Sequence, residues 1–204
     1  MDTKDIINLE DSLFLGEGMN RKTYTHPIYK NLCIKISSQR GLRSAKREIN
    51  YLKRLHARGV SFDMIADFKG KVKTNLGIGD LYELVRDFDG EISKDLEYHL
   101  SLNDKNITSK MLSLIEDLRV YLREQYILFS DLDMDNILVK KESKDSFKLI
   151  IIDGIGDNNQ IPFLSYLKNL GIKRNTKKWA LFKTKIGKKF PDIVQSIKSF
   201  IDED

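Results

Sequence analysis

The sequence predicts an α+β protein in which a β-rich half is followed by a helical half. Short apolar runs broken by glycine or charged residues fill the first ninety residues, and longer stretches with apolar residues every three or four positions follow. Only three prolines occur among the 204 residues, and no Ser/Gly-rich stretch suggests a flexible linker. We therefore expect a bilobal chain, with a small β-rich N-lobe over residues 1–90 and a reduced helical C-lobe over residues 91–204.

The N-lobe is predicted to consist of strands around one helix. The strands are expected where apolar or β-branched residues cluster between turn residues, at 8–15, 21–26, 32–36, 62–68 and 81–86. The helix is expected over 41–58, because Ile49, Leu52 and Leu55 are spaced for one helical face and Gly59 follows its end.

The C-lobe is predicted to be mainly helical. Helices are expected where apolar residues recur at helical spacing, at 93–100, 106–126, 176–185 and 192–201. Residues 127–139 are predicted to form a polar loop between apolar ends, and the apolar run at 147–152 a buried strand.

Composition narrows the class of protein. The first residues lack the positive and apolar regions of a secretory signal peptide, so none is expected, and no apolar run reaches the roughly 18 residues that a transmembrane segment requires. The single cysteine, Cys33, excludes a disulfide framework, and the three histidines are too widely separated for a local metal motif. We therefore expect a cytoplasmic location.

The net charge of +5 is concentrated at the C-terminal end. Residues 166–204 contain ten Lys or Arg against four Asp or Glu. Such a region is a candidate contact for an anionic surface, such as phosphate or lipid headgroups. Solvated faces of terminal helices are the simpler explanation, and no dedicated nucleic-acid binding is expected.

The segment after the long helix contains the pattern most suggestive of chemistry. Asp131 and Asn136 are five residues apart on a loop that leads into an apolar strand. This is the spacing of the catalytic loop in protein-kinase-like enzymes, where the aspartate accepts the proton of the substrate hydroxyl and the asparagine holds magnesium. Asp153 follows 17 residues later at the end of a buried strand, before Gly154, where a second metal ligand is expected. A simple Asx turn at Asp131 and Asn136 is the alternative.

The N-lobe supplies residues that fit a nucleotide. Gly16 and Gly18 lie in a tight turn where backbone N–H groups can approach phosphates, although a third glycine is absent. Lys35, in a strand that resembles the kinase Val-Ala-Ile-Lys strand, is predicted to hold the α- and β-phosphates of ATP, and Glu48 on the next helix to pair with it. Cys33 takes the alanine position above the adenine. The alternative for Lys35 is a strand lysine whose ammonium group is solvated. Cys33 can also be simply a small buried hydrophobic residue, which is compatible with a place above the adenine.

The chain resembles the YrbL family of PhoP regulatory network proteins, within the protein-kinase-like superfamily. The residues that carry the similarity are 15–27, 32–36, 81–90, 135–138 and 152–156, and it covers roughly residues 10–185. The resemblance implies a kinase-like fold, and it implies nucleotide binding at Glu83 and Val85 of the segment 81–90. Some relatives lack the catalytic aspartate, so the presence of Asp131 here favours a working enzyme.

Departures from the kinase pattern indicate the type of reaction. Phe129 and Ser130 stand where kinases have His-Arg, and Asp133 stands where many have lysine. Four carboxylates, those of Asp131, Asp133, Asp135 and Asp153, are expected to gather around one site and to require Mg²⁺ or Mn²⁺.

Only 51 residues follow Asp153, and no Ala-Pro-Glu segment occurs among them. We therefore expect no docking region for protein substrates. The sequence predicts an ATP-dependent phosphotransferase that acts on a hydroxyl of a small molecule, sugar or glycolipid. The alternative is a nucleotide-binding pseudokinase that serves as a regulatory module.

Overall fold

The computed structural model describes residues 6–156 and 168–193 and shows a mixed α+β protein. This part of the chain contains two antiparallel sheets and four α-helices. The larger sheet has the order β1-β2-β3-β5-β4. Its strands, in chain order, are β1 (Phe14–Glu17), β2 (Arg21–Thr25), β3 (Leu32–Ser37), β4 (Phe68–Thr74) and β5 (Gly77–Glu83).

The register of the larger sheet decides which side chains share a face. Thr23 of β2 lies opposite Lys35 of β3, and Cys33 of β3 lies opposite Tyr82 of β5. Because directly opposed residues of antiparallel strands point to the same side, these four side chains lie on one face, which we call the inner face. Arg21, two residues before Thr23, lies on the same face.

The other face of the sheet is covered by the N-terminal segment. Leu9 packs with Tyr24, Ile34 and Leu81 in a small apolar cluster. The backbone N–H of Ile7 donates to the carbonyl of Lys73 at 2.9 Å, which holds this segment along β4. The inner face is therefore the one that remains available to the rest of the protein.

The helix α1 (Leu42–Ala57) connects β3 to β4 and carries Glu48 on its buried face. It begins beside the turn between β1 and β2, where a Cβ on Gly41 would lie 2.6 Å from the carbonyl oxygen of Asn20. Gly59, two residues after the helix ends, has a φ of +69°, which suits the left-handed residue that follows a helix. The Val60 N–H donates back to the Leu55 carbonyl at 3.1 Å and closes that motif.

The second half combines helices with a three-stranded sheet of order β6-β7-β8. Its elements are β6 (Lys94–Asp95), α2 (Leu96–Ser101), α3 (Lys105–Glu124), β7 (Ile137–Lys141), β8 (Phe147–Ile151) and α4 (Lys168–Lys189). Asp95 and Asp104 cap α2 and α3 by accepting hydrogen bonds from first-turn N–H groups. The ladder between β7 and β8 sets Ile137 opposite Ile151, so residues 136 and 152 leave the hairpin side by side.

The largest buried cluster draws on both halves of the chain. It includes Leu52 of α1, Tyr82 of β5, Leu118 of α3 and Phe182 of α4, each at most 1% exposed. The division at residue 90 is not tested by this observation and stays a prediction. None of the described helices is long and apolar enough to cross a membrane.

Most of the elements expected from periodicity are present. The strands at 21–26, 32–36 and 147–152 and the helices at 41–58 and 106–126 are confirmed within two residues at each end. The helix expected at 176–185 is part of the longer α4. In place of the single helix expected at 93–100, the structure has the two-residue strand β6 followed by α2. Where a helix is expected at 192–201, the structure describes only a short 3-10 turn, Pro191–Ile193. The rest of that segment lies outside the described residues.

Other strand predictions were wrong in position. Residues 62–68 form a strand only at Phe68, with an isolated bridge from Ile65 to Ile151, and β4 continues from Phe68 to Thr74. Residues 8–15 contain a 3-10 turn, Asp11–Leu13, before β1 begins. β5 begins four residues before the expected start at 81, and β7 begins inside the expected loop 127–139. The strand β4 was missed although its lysines alternate along it, because lysine and Gly70 have low strand propensity.

Candidate functional site

The turn between β1 and β2 is open above its glycines. A Cβ built on Gly16 or Gly18 would meet no atom within 4 Å. The Gly18 N–H donates to the Arg21 carbonyl at 2.9 Å and closes the turn. Neither glycine has a positive φ, so the residue type leaves space above the backbone and does not relieve strain. The turn therefore leaves space for a ligand above Gly16 and Gly18, while the Gly18 N–H is used within the turn.

Lys35 is buried on the inner face and points toward the end of β8. Its ammonium group donates to the carbonyl oxygen of Ile152 at 2.6 Å and lies 4.5 Å from the centre of the Tyr82 ring. An ammonium group has three donors, so one bond to a carbonyl leaves capacity for an anion. The structure thus brings Lys35 of β3 directly beside the backbone that precedes Asp153.

Glu48 is placed at the same site but with a different partner from the one expected. Its carboxylate accepts a hydrogen bond from Arg21 Nη2 at 2.5 Å, and both side chains are over 90% buried. The predicted pair between Lys35 and Glu48 is not formed in the described part of the chain, because Arg21 reaches Glu48 first from β2 and Lys35 bonds Ile152 instead. Burial raises the pKa of Glu48 to about 7, with Asp153 acting in the same direction and Arg21 opposing it.

Asp153 completes a compact group of two cations and two carboxylates. Arg21 Nη1 lies 3.6 Å from Asp153 Oδ1, and the Gly154 N–H donates to the same oxygen at 2.8 Å. Burial acts to raise the pKa of Asp153, but the positive charges of Lys35 and Arg21 outweigh it and hold the pKa below the usual range. Asp153 is therefore an ionised carboxylate at neutral pH, as a metal ligand must be.

The loop containing Asp131 is fixed against the residues after Asp153. Ser130 donates to the Gly154 carbonyl through its N–H at 2.7 Å and through its hydroxyl at 3.1 Å. The Ile152 N–H donates to the Asn136 carbonyl at 2.9 Å. The two predicted metal ligands, Asn136 and Asp153, thus lie on adjacent segments.

Asp131 is the exposed member of the site. Its side chain is 67% exposed, and its Oδ1 lies 3.3 Å from the ammonium group of Lys185 on α4. The same ammonium group donates to Asp133 Oδ2 at 2.6 Å, which raises the pKa of Lys185. A neighbouring lysine, Lys178, donates to the Ser130 carbonyl. Two lysines of α4 therefore contact the loop that carries Asp131.

The expected cluster of four carboxylates is not formed. In the described residues, no three His, Cys, Asp or Glu side chains lie close enough to hold a metal ion together. Asp131 and Asp133 turn toward Lys185, whereas Asp153 faces Arg21 and its own Gly154 N–H. Lys185 therefore compensates the negative charges of Asp131 and Asp133.

The residues expected around an adenine ring are buried near the end of β5. The Cys33 thiol is 3.8 Å from the Glu83 carbonyl oxygen, and burial raises its pKa. Val85 belongs to a small apolar cluster with Ala66 and Ile150, against which Leu138 and Ile152 pack. The structure thus places Cys33 and Val85 in the apolar interior near the end of β5.

A separate cleft of about 490 Å³ lies along the segment after β5. It is lined by Glu83 at the end of β5, by residues of the following segment, including Asp87, and by the end of β7, including Lys141. Apart from Glu83, its lining contains none of the predicted site residues. We therefore assign the candidate site to the charged group at Lys35 and Asp153 and not to this cleft.

Sequence reasoning missed two charged residues of the site. Arg21 follows Gly18 by three residues and stands where the G-x-G-x-x-G pattern has its third glycine, so its position was visible as a departure. Lys185 is 54 residues from Asp131 along the chain and carried no local signal. Its contact depends on how α4 packs, which spacing alone does not predict.

The described residues fit a nucleotide with a divalent cation. Arg21 and Lys35 supply buried positive charge, and a buried nitrogen of Arg21, Nη1, has no hydrogen-bond partner within the described ranges. Asp153 and Asn136 supply oxygen-bearing side chains of the kind that Mg²⁺ and Mn²⁺ prefer.

Comparison with known proteins relates the sequence of this chain to one family. Residues 7–187 match the sequence model of the PhoP regulatory network protein YrbL family, which is most of the chain. The chain therefore belongs to the YrbL family. It is 29% identical over 181 residues to the YrbL protein of Escherichia coli (strain K12), covering 87% of this chain and 86% of that protein. The YrbL protein of Shigella flexneri matches with the same identity and coverage.

Proposed function

We propose that this protein is a kinase-like, ATP-dependent phosphotransferase with a bilobal arrangement, acting on a hydroxyl of a small-molecule, sugar or glycolipid acceptor. One contact carries the proposal. The ammonium group of Lys35 on β3 donates a hydrogen bond at 2.6 Å to the carbonyl oxygen of Ile152, the residue directly before Asp153. The order of elements around it supports the same conclusion: a glycine turn, a lysine strand, a glutamate helix, and two acidic loops hydrogen-bonded to each other.

Each residue has a role that follows from its surroundings. Lys35 and the open turn at Gly16 and Gly18 hold the phosphates, and Asn136 with Asp153 holds Mg²⁺ or Mn²⁺, which neutralises phosphate charge. Asp131, the exposed carboxylate, receives the proton of the acceptor hydroxyl.

The transfer itself balances without a further reactant. A bond forms between the acceptor oxygen and the γ-phosphorus of ATP, and the bond from that phosphorus to the β,γ-bridging oxygen breaks. ADP leaves with the electron pair of the broken bond, and the hydroxyl proton passes to the carboxylate of Asp131.

A nucleotide-binding pseudokinase is the second candidate. It is favoured by the two ion pairs that occupy residues of the site: Arg21 holds Glu48, and Lys185 contacts Asp131. In such a module the nucleotide would change the structure without transfer, and a partner would read that change.

The proposal is tested by combining nucleotide binding with turnover. Millimolar Mg-ATP is expected to raise the melting temperature of the wild type, since a ligand that binds only the native state stabilises it. Asp153→Asn should abolish this shift. Asp131→Asn should retain the shift, yet lower ATP hydrolysis or transfer to saccharide acceptors by on the order of 10²-fold or more.

The matched control is Asp145→Asn, an equal change of charge on the exposed turn between β7 and β8, at the far end of the hairpin from Asn136. It should alter neither binding nor turnover. A folded wild type with no shift contradicts nucleotide binding altogether. Binding without turnover above that of Asp131→Asn, with water and saccharides as acceptors, contradicts the enzyme and favours the pseudokinase.

A further inference from the structure

Arg21 places a charged side chain at a position where glycine would contribute no side chain to the site. The turn reads Gly16, Gly18 and then Arg21 at the place of the third glycine in G-x-G-x-x-G. A glycine there would contribute only backbone. Here β2 instead begins with a guanidinium group on the inner face of the sheet, the face that also carries Lys35.

The guanidinium group is built into the site and only partly used. Its Nη2 donates to Glu48 at 2.5 Å, and the side chain is 9% exposed. Its Nη1 is buried and makes no hydrogen bond among the described residues, and its ion pair with Asp153 Oδ1 has a separation of 3.6 Å. A buried N–H donor without an acceptor costs free energy, so a charged donor left in this state indicates an absent ligand.

A neighbouring group on the same face is also without a partner. Ser37 of β3 lies directly opposite Arg21 in the register, and its buried hydroxyl makes no hydrogen bond in the described part of the chain. These two polar atoms without partners, on paired residues of the face that carries Lys35, give the site unused hydrogen-bonding capacity. An anion with several oxygens would use that capacity.

We infer that Arg21 is a second phosphate-binding residue, which contacts the terminal phosphates of a nucleoside triphosphate from the third-glycine position. This inference rests on the proposed function, because it assigns a ligand to the same site. The guanidinium fork holds Glu48 with one nitrogen and a phosphate oxygen with the other, while Lys35 holds the phosphates from the neighbouring strand. Arg21 thereby links the glycine turn, α1 and the phosphates.

A purely structural Arg21, which only anchors Glu48, makes a different prediction. Loss of such an anchor would loosen α1 and weaken every ligand of the site to the same extent. A phosphate contact weakens only ligands that reach it. Affinity across adenosine, AMP, ADP and ATP therefore separates the two roles.

The experiment measures the dissociation constants of these four compounds with Mg²⁺ by calorimetry, for the wild type, Arg21→Gln and Arg21→Lys. Arg21→Gln should weaken ATP binding by about tenfold or more and leave adenosine within about twofold. Arg21→Lys should fall between, because it keeps the charge and loses the fork. The matched control, Lys22→Gln, removes the same charge from the next residue, 51% exposed on the opposite face, and should leave the ATP affinity within about twofold.

A second pair of variants covers the case in which Arg21→Gln does not fold because Glu48 is left unpaired. Glu48→Gln and the double variant Arg21→Gln/Glu48→Gln share a neutral residue 48 and differ only at Arg21. The double variant should bind ATP about tenfold more weakly than Glu48→Gln, with equal adenosine affinity. Equal ATP affinity in the pair, or equal losses for adenosine and ATP, overturns the inference. A wild type that binds neither compound instead overturns the proposed function itself.

Discussion

Gly154 shows how one residue without a side chain holds the two acidic loops together. Its φ is +82°, in the left-handed region, and a Cβ would overlap the carbonyl oxygen of Asp131. The close approach allows Ser130 to donate to the Gly154 carbonyl at 2.7 Å. The relative position of Asp131 and Asp153 therefore depends on the absence of a methyl group.

We predict that Gly154→Ala destabilises the protein more than Gly59→Ala does. Both glycines have a positive φ, and a Cβ on Gly59 would meet no atom within 4 Å. Gly59→Ala should thus cost the backbone strain alone, roughly 1–2 kcal/mol of unfolding free energy. Gly154→Ala adds a steric overlap with backbone and should cost about 1–3 kcal/mol more. Urea denaturation of both variants measures the difference, and equal losses would contradict the contact.

The proximity of some predicted site residues could be predicted from sequence, but their ion-pair partners could not. Lys35 and Asp153 were expected at one site because the order of motifs along the chain constrains their place, and the structure brings them together. The contacts of Arg21 and Lys185 depend on how far their side chains extend from β2 and α4. The spacing of residues along the sequence does not specify such distances of a few ångströms. The predicted partner of Glu48 was wrong for this reason.

At the scale of elements, α1 carries a carboxylate into a buried position that favours its protonated form. Burial raises the pKa of Glu48 to about 7, against an ordinary value of 4.5, despite the hydrogen bond from Arg21. Between these two pH values the folded protein keeps a proton that the unfolded chain has lost. The native state therefore binds more protons in that window, and the free energy of unfolding falls as the pH rises through it.

We predict that Glu48→Gln removes this dependence. Wild-type stability should decline from about pH 4.5 to pH 7 by on the order of 3 kcal/mol from this group and then level off. His26 and His99, whose pKa values burial lowers, act in the opposite direction and are common to both proteins. The difference between the two stability curves therefore isolates Glu48. Parallel curves over this window would contradict the raised pKa.

The helix α4 accounts for part of the basic excess. Nine of its 22 residues are Lys or Arg and none is acidic. Lys185 contacts Asp131 and Asp133, and Lys189 pairs with Glu97 at 2.5 Å. These lysines neutralise acidic groups of the same chain. Contact of the remaining basic residues with an anionic surface stays a prediction.

Elements were predictable in proportion to their periodicity. The helix α3 shows a clear 3.6-residue repeat of apolar residues, so its extent was found within two residues. The strand β4 reads Phe-Lys-Gly-Lys-Val-Lys-Thr and alternates with a period of two, but its three lysines and Gly70 have low strand propensity. Pairing with β5 supplies the tertiary support that this propensity does not.

At the scale of the whole molecule, the two halves share one buried cluster. Tyr51 of α1 accepts a hydrogen bond from the Leu128 N–H at 2.7 Å, which joins the first half to the loop that carries Asp131. Trp179, the single tryptophan, is buried in α4 near Phe129 and Phe182 and belongs to the same cluster as Leu52. Because apolar burial is the main stabilising contribution, a shared cluster should couple the unfolding of both halves.

We predict that denaturation is a single transition, with the same midpoint by Trp179 fluorescence and by far-UV circular dichroism. Leu52→Ala removes a side chain that is 1% exposed from α1 and should lower the unfolding free energy by about 2–5 kcal/mol. It should lower the Trp179 midpoint as much as the dichroism midpoint, although Trp179 lies on α4. Exposed Leu181→Ala, 63% exposed on the same helix as Trp179, is the control and should move neither midpoint by more than the equivalent of about 0.5 kcal/mol. A Trp179 transition that is unmoved by Leu52→Ala would show that the halves unfold separately, and the shared cluster would then not couple them.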